Sequence, residues 1–122
     1  MRVSAIVVNW NAGEHLIPCV RSLLDQTGVD INVVVVDNAS CDGSLDGLVE
    51  FEGRVRIVQT GENLGFGRGI NRGVAASETP FVVALNPDVA LELDAVHRLV
   101  AFLEDHDEAG VVGPRLRDAE GD

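Results

Sequence analysis

Four consecutive valines, Val33 to Val36, run without a break into Asp37-Asn38-Ala39-Ser40-Cys41-Asp42-Gly43-Ser44. No other junction limits so strongly what this chain can fold into. A run that is β-branched and apolar at every position suits a strand buried on both faces, the condition of a parallel sheet covered by helices. The abrupt change to turn residues and two carboxylates then marks the carboxyl end of that strand. In open α/β sheets, ligands bind in the crevice outside the carboxyl ends of the strands, so Asp37 is placed at such a crevice. A second run, Phe81 to Leu85, ends in the same manner at Asn86-Pro87-Asp88.

Further short apolar runs, Val3 to Val8, Ile31 to Val36, Val55 to Val58 and Gly110 to Val112, predict the remaining strands. Between them lie helical periods. Leu16, Val20, Leu23 and Leu24 recur at i, i+4, i+7 and i+8, and Leu93, Val96, Leu99, Val100 and Leu103 form a similar stripe before a charged turn at residues 104–108. Leu45, Leu48 and Val49 predict a third helix, and Ile70, Val74 and Ala75 a fourth. Strand and helix in strict alternation predict right-handed βαβ units and a mostly parallel sheet. No repeat, low-complexity tract or linker divides the chain, so residues 1–122 are expected to form a single domain. The segment Gly113 to Asp122 follows the last expected strand without a closing element, which predicts the first half of a longer catalytic domain.

The 122 residues suffice for one core but are few for a complete α/β enzyme. Twenty acidic residues against nine basic ones leave a net charge of −11, which argues against nonspecific nucleic-acid binding and against anionic membrane surfaces. No signal-peptide pattern opens the chain, and no apolar run approaches the ~18 residues of a membrane span. A soluble, cytoplasmic chain is expected, with any place at the inner face of the membrane owed to other regions or partners. Cys19 and Cys41 lack CxxC spacing and a histidine cluster, which predicts two unpaired thiols and no zinc site.

Several segments carry groups suited to binding, each with a plainer structural alternative. Asp37 can accept the imide N–H of a pyrimidine ring or bind a ribose hydroxyl, or it can close an Asx turn. Asp42 and Ser44 offer a helix cap. Asn9, Trp10 and Asn11 end the first expected strand, where amides could read base edges and the single Trp could wall a pocket; asparagines are also ordinary turn formers. Residues Asn63 to Gly73 are glycine-rich and carry Arg68 and Arg72 one helical turn apart, so backbone amides and a helix N-terminus could meet phosphate oxygens. A dinucleotide fingerprint is the competing reading, with Asp88 about 20 residues on as the ribose-binding acid. It fails in detail, because position 70, where the third glycine belongs, is Ile. A bend that lets a helix pack tightly on the sheet is the structural alternative. Asn86 and Asp88 suit a hard cation that keeps waters and also binds phosphates, or they simply end a strand. His15, His97 and His106 have no partner spacing and are assigned no role.

In order and wording these segments resemble the amino-terminal half of family 2 glycosyltransferases, inverting enzymes of the glycosyltransferase-A fold. Ser4 to Asn11 looks like their first strand and Val35 to Ser44 like their nucleotide-binding turn. Asn63 to Gly67, with Asn71 and Gly73, is similar to their glycine-rich segment, and Leu85 to Asp88 stands at their DxD motif. Gly113-Pro114-Arg115 resembles the segment following their next strand. The wording is nearest to rhamnosyltransferase-like members of cell-surface polysaccharide assembly.

The resemblance implies an α/β, Rossmann-like fold of glycosyltransferase-A type and a nucleotide-diphosphate sugar donor, UDP- or dTDP-linked. It implies a glycan or lipid-linked acceptor and a divalent cation, Mg²⁺ or Mn²⁺. Asp37 would contact the base, with Asn9, Trp10, Asn11 and Asn38 lining its pocket. Asn63, Gly65, Asn71 and Asn86 would complete the nucleotide site, and Asp88 would hold the metal. Asn86 stands where the family has Asp, which removes a charge yet keeps an oxygen for a ribose hydroxyl. The general base of an inverting transferase is expected beyond Asp122. A sheet edge left open could be covered by self-association.

Overall fold

The computed structural model describes all residues of the chain except Ala119 and Asp122. Four strands, β1 (Arg2–Asn9), β2 (Asp30–Asp37), β3 (Val55–Gln59) and β4 (Phe81–Leu85), form one parallel sheet in the order β3-β2-β1-β4. Helix α1 (Leu16–Leu24) joins β1 to β2, α2 (Phe66–Ala75) joins β3 to β4, and α3 (Ala95–Asp105) follows β4. The chain steps outward from β1 to β3 and then crosses to the other side of β1. Right-handed crossovers that reverse direction must lie on opposite faces of the sheet. Accordingly α1 covers one face and α2 the other.

Period-2 alternation sorts the strand residues between these faces. Ala5, Val7, Val33, Val35 and Leu85 pack with Leu16, Cys19, Val20 and Leu23 of α1. Ile6, Val8, Val34 and Val36 pack with Val58 and Ile70 on the α2 face. Val3 meets Val96 and Val100, which sets α3 beside α1. Gln26 seals that junction. Its Oε1 accepts the Val96 N–H at 3.0 Å, and its Nε2 donates to the Glu92 carbonyl at 2.6 Å, so one nearly buried amide satisfies the start of α3.

α2 lies unusually close to the sheet. A Cβ added at Gly73 would stand 2.3 Å from Ile6 Cγ2, and one at Gly69 would stand 2.9 Å from Val8 Cγ1. Only glycine permits that approach, so the structural alternative for this segment, a helix packed tightly on the sheet, is present.

Three expectations are corrected. Gly110 to Val112 forms no strand among the described residues, and Val111 is 90% exposed; the two valines between Gly110 and Gly113 make no ladder with β4, and without a ladder there is no strand. The helix predicted from Leu45, Leu48 and Val49 is a 3₁₀ turn over Asp46–Phe51. Leu48 and Phe51 are the buried pair and Val49 is exposed, a spacing of three that matches three residues per turn. The Leu93 side chain, assigned to the α3 stripe, precedes the helix and is exposed. Of the segment Gly113 to Asp122, Ala119 and Asp122 lie outside the described residues.

Candidate functional site

The strand order reverses between β1 and β4, because β1 leads outward to β2 on one side and pairs with β4 on the other. A crevice forms at the carboxyl ends of strands where the order reverses in this way. Asn9 and Asp37 are register partners at the ends of β1 and β2, and Leu85, the last residue of β4, pairs with Val7. The sheet therefore delivers Asn9-Trp10-Asn11, Asp37-Asn38 and Asn86-Pro87-Asp88 to one edge.

Asp37 is only 4% exposed, and both its oxygens are held. Asn9 Nδ2 donates to Oδ1 at 3.0 Å, and the Ser40 N–H donates to Oδ2 at 3.2 Å. Those bonds use two of the roughly four acceptor sites of a carboxylate, leaving capacity for a donor brought by a ligand. Asn9 is fully buried, and the same amide nitrogen is 3.1 Å from Ser40 Oγ and 2.9 Å from Ser44 Oγ. It acts on the crevice through Asp37 rather than by lining it. Its Oδ1 has no hydrogen-bond partner among the described residues. Turning the amide round would set that oxygen against the Asp37 carboxylate, so the orphaned oxygen follows from holding the carboxylate.

Asn38 is likewise buried at 1% exposure, with Nδ2 donating to the Gly65 carbonyl at 3.1 Å and Oδ1 accepting from Thr60 Oγ1 at 3.0 Å. This amide ties the end of β2 to the glycine-rich segment. Gly65 has φ 83°, the left-handed region that favours glycine, and precedes α2 with its N–H donated to Asn63 Oδ1 at 3.0 Å. Asn11, at φ 50°, accepts the Cys41 N–H at 2.9 Å through Oδ1 and donates its own N–H to Ser40 Oγ at 2.9 Å. Ala39, beside Asp37, also has a positive φ, 62°, which strains a residue with a Cβ by about 1 kcal/mol. The surrounding bonds hold it there.

Asp42 is a clasp rather than a helix cap. Its Oδ1 accepts the Ser44 N–H at 3.0 Å and its Oδ2 the Gly13 N–H at 2.9 Å, which joins the two turns that flank the crevice. Hydrogen bonds from Ser44, the hydroxyl first and then the N–H, hold its exposed carboxyl below the usual value. No side-chain cap opens the following 3₁₀ turn.

The remaining predicted residues stand apart from this cluster. Trp10 is 54% exposed. Asn71, Asn86 and Asp88 are exposed, and their side chains make no hydrogen bond with the Asp37 cluster among the described residues. Arg68 and Arg72 are exposed on α2 and form no ion pair among the described residues. Asp88 lies near Cys19. Burial and, after it, the Asp88 charge push that thiol up to about 12. No cluster of three His, Cys, Asp or Glu residues stands among the described residues. Ser40 and Thr60 belong to the cluster although their residue types carry no signal beyond that of an ordinary turn.

The model for the family described as glycosyl transferase family 2 matches residues 4–122. Over 95% of its length the chain is 32% identical to the N-acetylglucosaminyl-diphospho-decaprenol L-rhamnosyltransferase of Mycobacterium tuberculosis, covering 41% of that protein. It is 25% identical to the teichoic acid poly(glycerol phosphate) polymerase of Staphylococcus epidermidis over 93% of the chain and 16% of that protein. Among solved structures, S. aureus TarS 1-349 in complex with UDP-GlcNAc superposes with a TM-score of 0.78 at 23% identity, covering 94% of this chain and 37% of that one. The mannosyltransferase PcManGT from Pyrobaculum calidifontis, in complex with GDP-Man and Mn²⁺, gives a TM-score of 0.77 at 23% identity, covering 85% and 32%. At such identities the structural likeness is one of fold. The chain spans about two fifths of the length of the rhamnosyltransferase it matches.

Proposed function

The chain belongs to glycosyl transferase family 2, and from that membership we propose that it supplies the donor-binding half of an inverting sugar transferase. The donor is a nucleotide-diphosphate sugar with a pyrimidine base, UDP- or dTDP-linked, and the acceptor is a glycan or lipid-linked glycan. One observation carries the reading: a buried carboxylate, Asp37, is fixed at the carboxyl end of β2, beside the strand β1 at which the order reverses, with acceptor capacity to spare. Its open lone pairs take the imide N–H of the base. Trp10 walls the base pocket, Asn11 and Asn38 shape it, and Asn9 holds Asp37 in register. Asn63 and Gly65 present the start of α2 to the phosphates, while Asn71 and Asn86 reach ribose or sugar hydroxyls.

The residues at the end of β4 fit a divalent cation of the Mg²⁺ or Mn²⁺ type. Such ions take one or two carboxylates, keep several waters and fill remaining positions with substrate phosphates. The exposed Asp88 carboxylate makes no ion pair among the described residues, and Asn86 precedes it by two positions. Asp88 would hold the cation, which when bound neutralises charge on the departing nucleoside diphosphate. No residue of this chain is assigned as general base.

Calorimetric titration with UDP and dTDP, each with Mn²⁺ and again with EDTA, tests the reading. Binding of a pyrimidine diphosphate that strengthens with Mn²⁺ is expected. Asp37→Ala should weaken it in both media, whereas Asp88→Ala should remove mainly the Mn²⁺-dependent part. Equal affinity in wild type and both variants would refute the site. A folded chain that binds neither nucleotide would favour a non-catalytic interaction module.

A further inference from the structure

A second groove lies at the opposite end of the sheet, about 860 Å³ in volume and lined by Arg2, Ser4, Asn32, Arg54, Arg56 and Glu78 among others. Its origin can be read from α2. The helix runs antiparallel to the strands, with Gly69 against Val8 and Gly73 against Ile6. One more turn would cover Ser4, but the helix ends at Ala75. The strand positions beyond that end are polar although they share the face of Ile6, Val34 and Val36. Ser4 pairs with Asn32, and Arg56 pairs with Val34; Arg54 lies two residues before Arg56 on the same side, and Arg2 two before Ser4.

All nine basic residues of the chain are arginines, in a chain of net charge −11. Arg21, Arg98 and Arg117 face carboxylates at 2.6, 3.8 and 3.2 Å. Arg2, Arg54 and Arg56 line the groove and make no ion pair among the described residues. Arg56 is steadied by its Nη1 donating to the Ala76 carbonyl at 2.9 Å. Ser4, in the groove's lining, is 2% exposed and bonded to Thr79 Oγ1 at 2.8 Å. Glu78 in the lining and Asp30, the register partner of Arg2, offset part of the charge without neutralising it. The three guanidiniums, one at the start of β1 and two at and just before the start of β3, give the groove a net positive lining.

We propose that this groove is a second anion site that takes a ligand carrying two or more phosphate groups, separate from the strand-end crevice. Arg56 lies on β3 and Arg54 just before that strand, with Cα positions ~7 Å apart; Arg2 stands two strands away and two to four residues nearer the amino end, ~12 Å from Arg54 and ~16 Å from Arg56. That spacing suits linked phosphates rather than a single one, and guanidinium forks bind phosphate oxygens in pairs. The ligand is either a free oligophosphate or the phosphates of a lipid headgroup.

The test titrates the full chain in EDTA with inorganic tripolyphosphate by calorimetry, and co-sediments it with vesicles of phosphatidylcholine containing cardiolipin, whose headgroup carries two phosphates, against phosphatidylcholine ones. The variants are Arg2→Ala/Arg54→Ala and, as a control of equal charge change, Arg98→Ala/Arg117→Ala. Tripolyphosphate binding that falls at least tenfold in the first variant but less than twofold in the control is the expected result. Vesicle binding with the same pattern and no tripolyphosphate binding would assign the site to a lipid headgroup. Absence of binding in both arms, or equal losses in the two double variants, would overturn the proposal.

Discussion

Asn9→Ala is the perturbation that most directly examines how the fold makes the crevice. The asparagine is fully buried, and its amide is the side-chain donor to Asp37 Oδ1, at 3.0 Å. A hydrogen bond to a charged group contributes about 1.5–3 kcal/mol net, and a buried carboxylate oxygen deprived of its donor bears the desolvation penalty in full. Two terms act in the other direction. The orphaned Asn9 Oδ1 disappears with the amide, and the space left is large enough for a water, at ~30 Å³, to restore part of the bonding. The balance is a destabilisation of about 2 kcal/mol. With a urea m-value near 1.5 kcal/mol/M this lowers the denaturation midpoint by about 1.3 M. The decisive assay is a double-mutant cycle with Asp37→Ala. If Asn9 serves to hold Asp37, the Asn9 substitution costs at least 1 kcal/mol less once Asp37 is gone. Additive losses, with coupling below about 0.5 kcal/mol, would refute the reasoning.

Gly73→Ala should push α2 off the sheet, since its Cβ would stand 2.3 Å from Ile6 Cγ2. A thermal melt should show a loss of about 1–3 kcal/mol. Gly67→Ala, with nothing within 4 Å of the added Cβ, should instead gain a few tenths to ~1 kcal/mol from helix propensity; a loss there would mean the helix start is not as described. Ellman's reagent at pH 8 should titrate one thiol in the native chain, the exposed Cys41, and two after denaturation, because Cys19 is buried with its thiol pushed up to about 12. The same shift sets a pH dependence. Between pH 9.0 and about 12 the unfolded Cys19 thiol ionises while the folded one keeps its proton, so stability falls as pH rises through that window. A Cys19→Ala chain should show less of that alkaline loss in urea titrations at pH 8 and 10.

The strands were legible in the sequence because burial on both faces leaves a local mark. Runs such as Val33 to Val36 show it, and all four observed strands fall on expected runs. The carboxyl ends of β2 and β4 were legible for the same reason, since an apolar run that changes abruptly to Asp37-Asn38 or Asn86-Pro87-Asp88 records its own exit from the core. Patterning also indicated α1, α2 and α3. Where two glycines flank a short run, as around Val111 and Val112, the same pattern misled, because a ladder needs a partner that no local sequence specifies. What only the tertiary structure decided is the division of labour at the crevice. Asn9 reads as an amide lining the base pocket or as a turn former, yet it is buried against Ser40 and Ser44, 31 and 35 residues away. Thr60 becomes a brace for Asn38, 22 residues distant. Strand pairing and register bring these groups together, and whether a polar side chain faces solvent or a buried carboxylate depends on that register. Residue type and local period decide how a segment folds; contacts across the sheet decide what its side chains do.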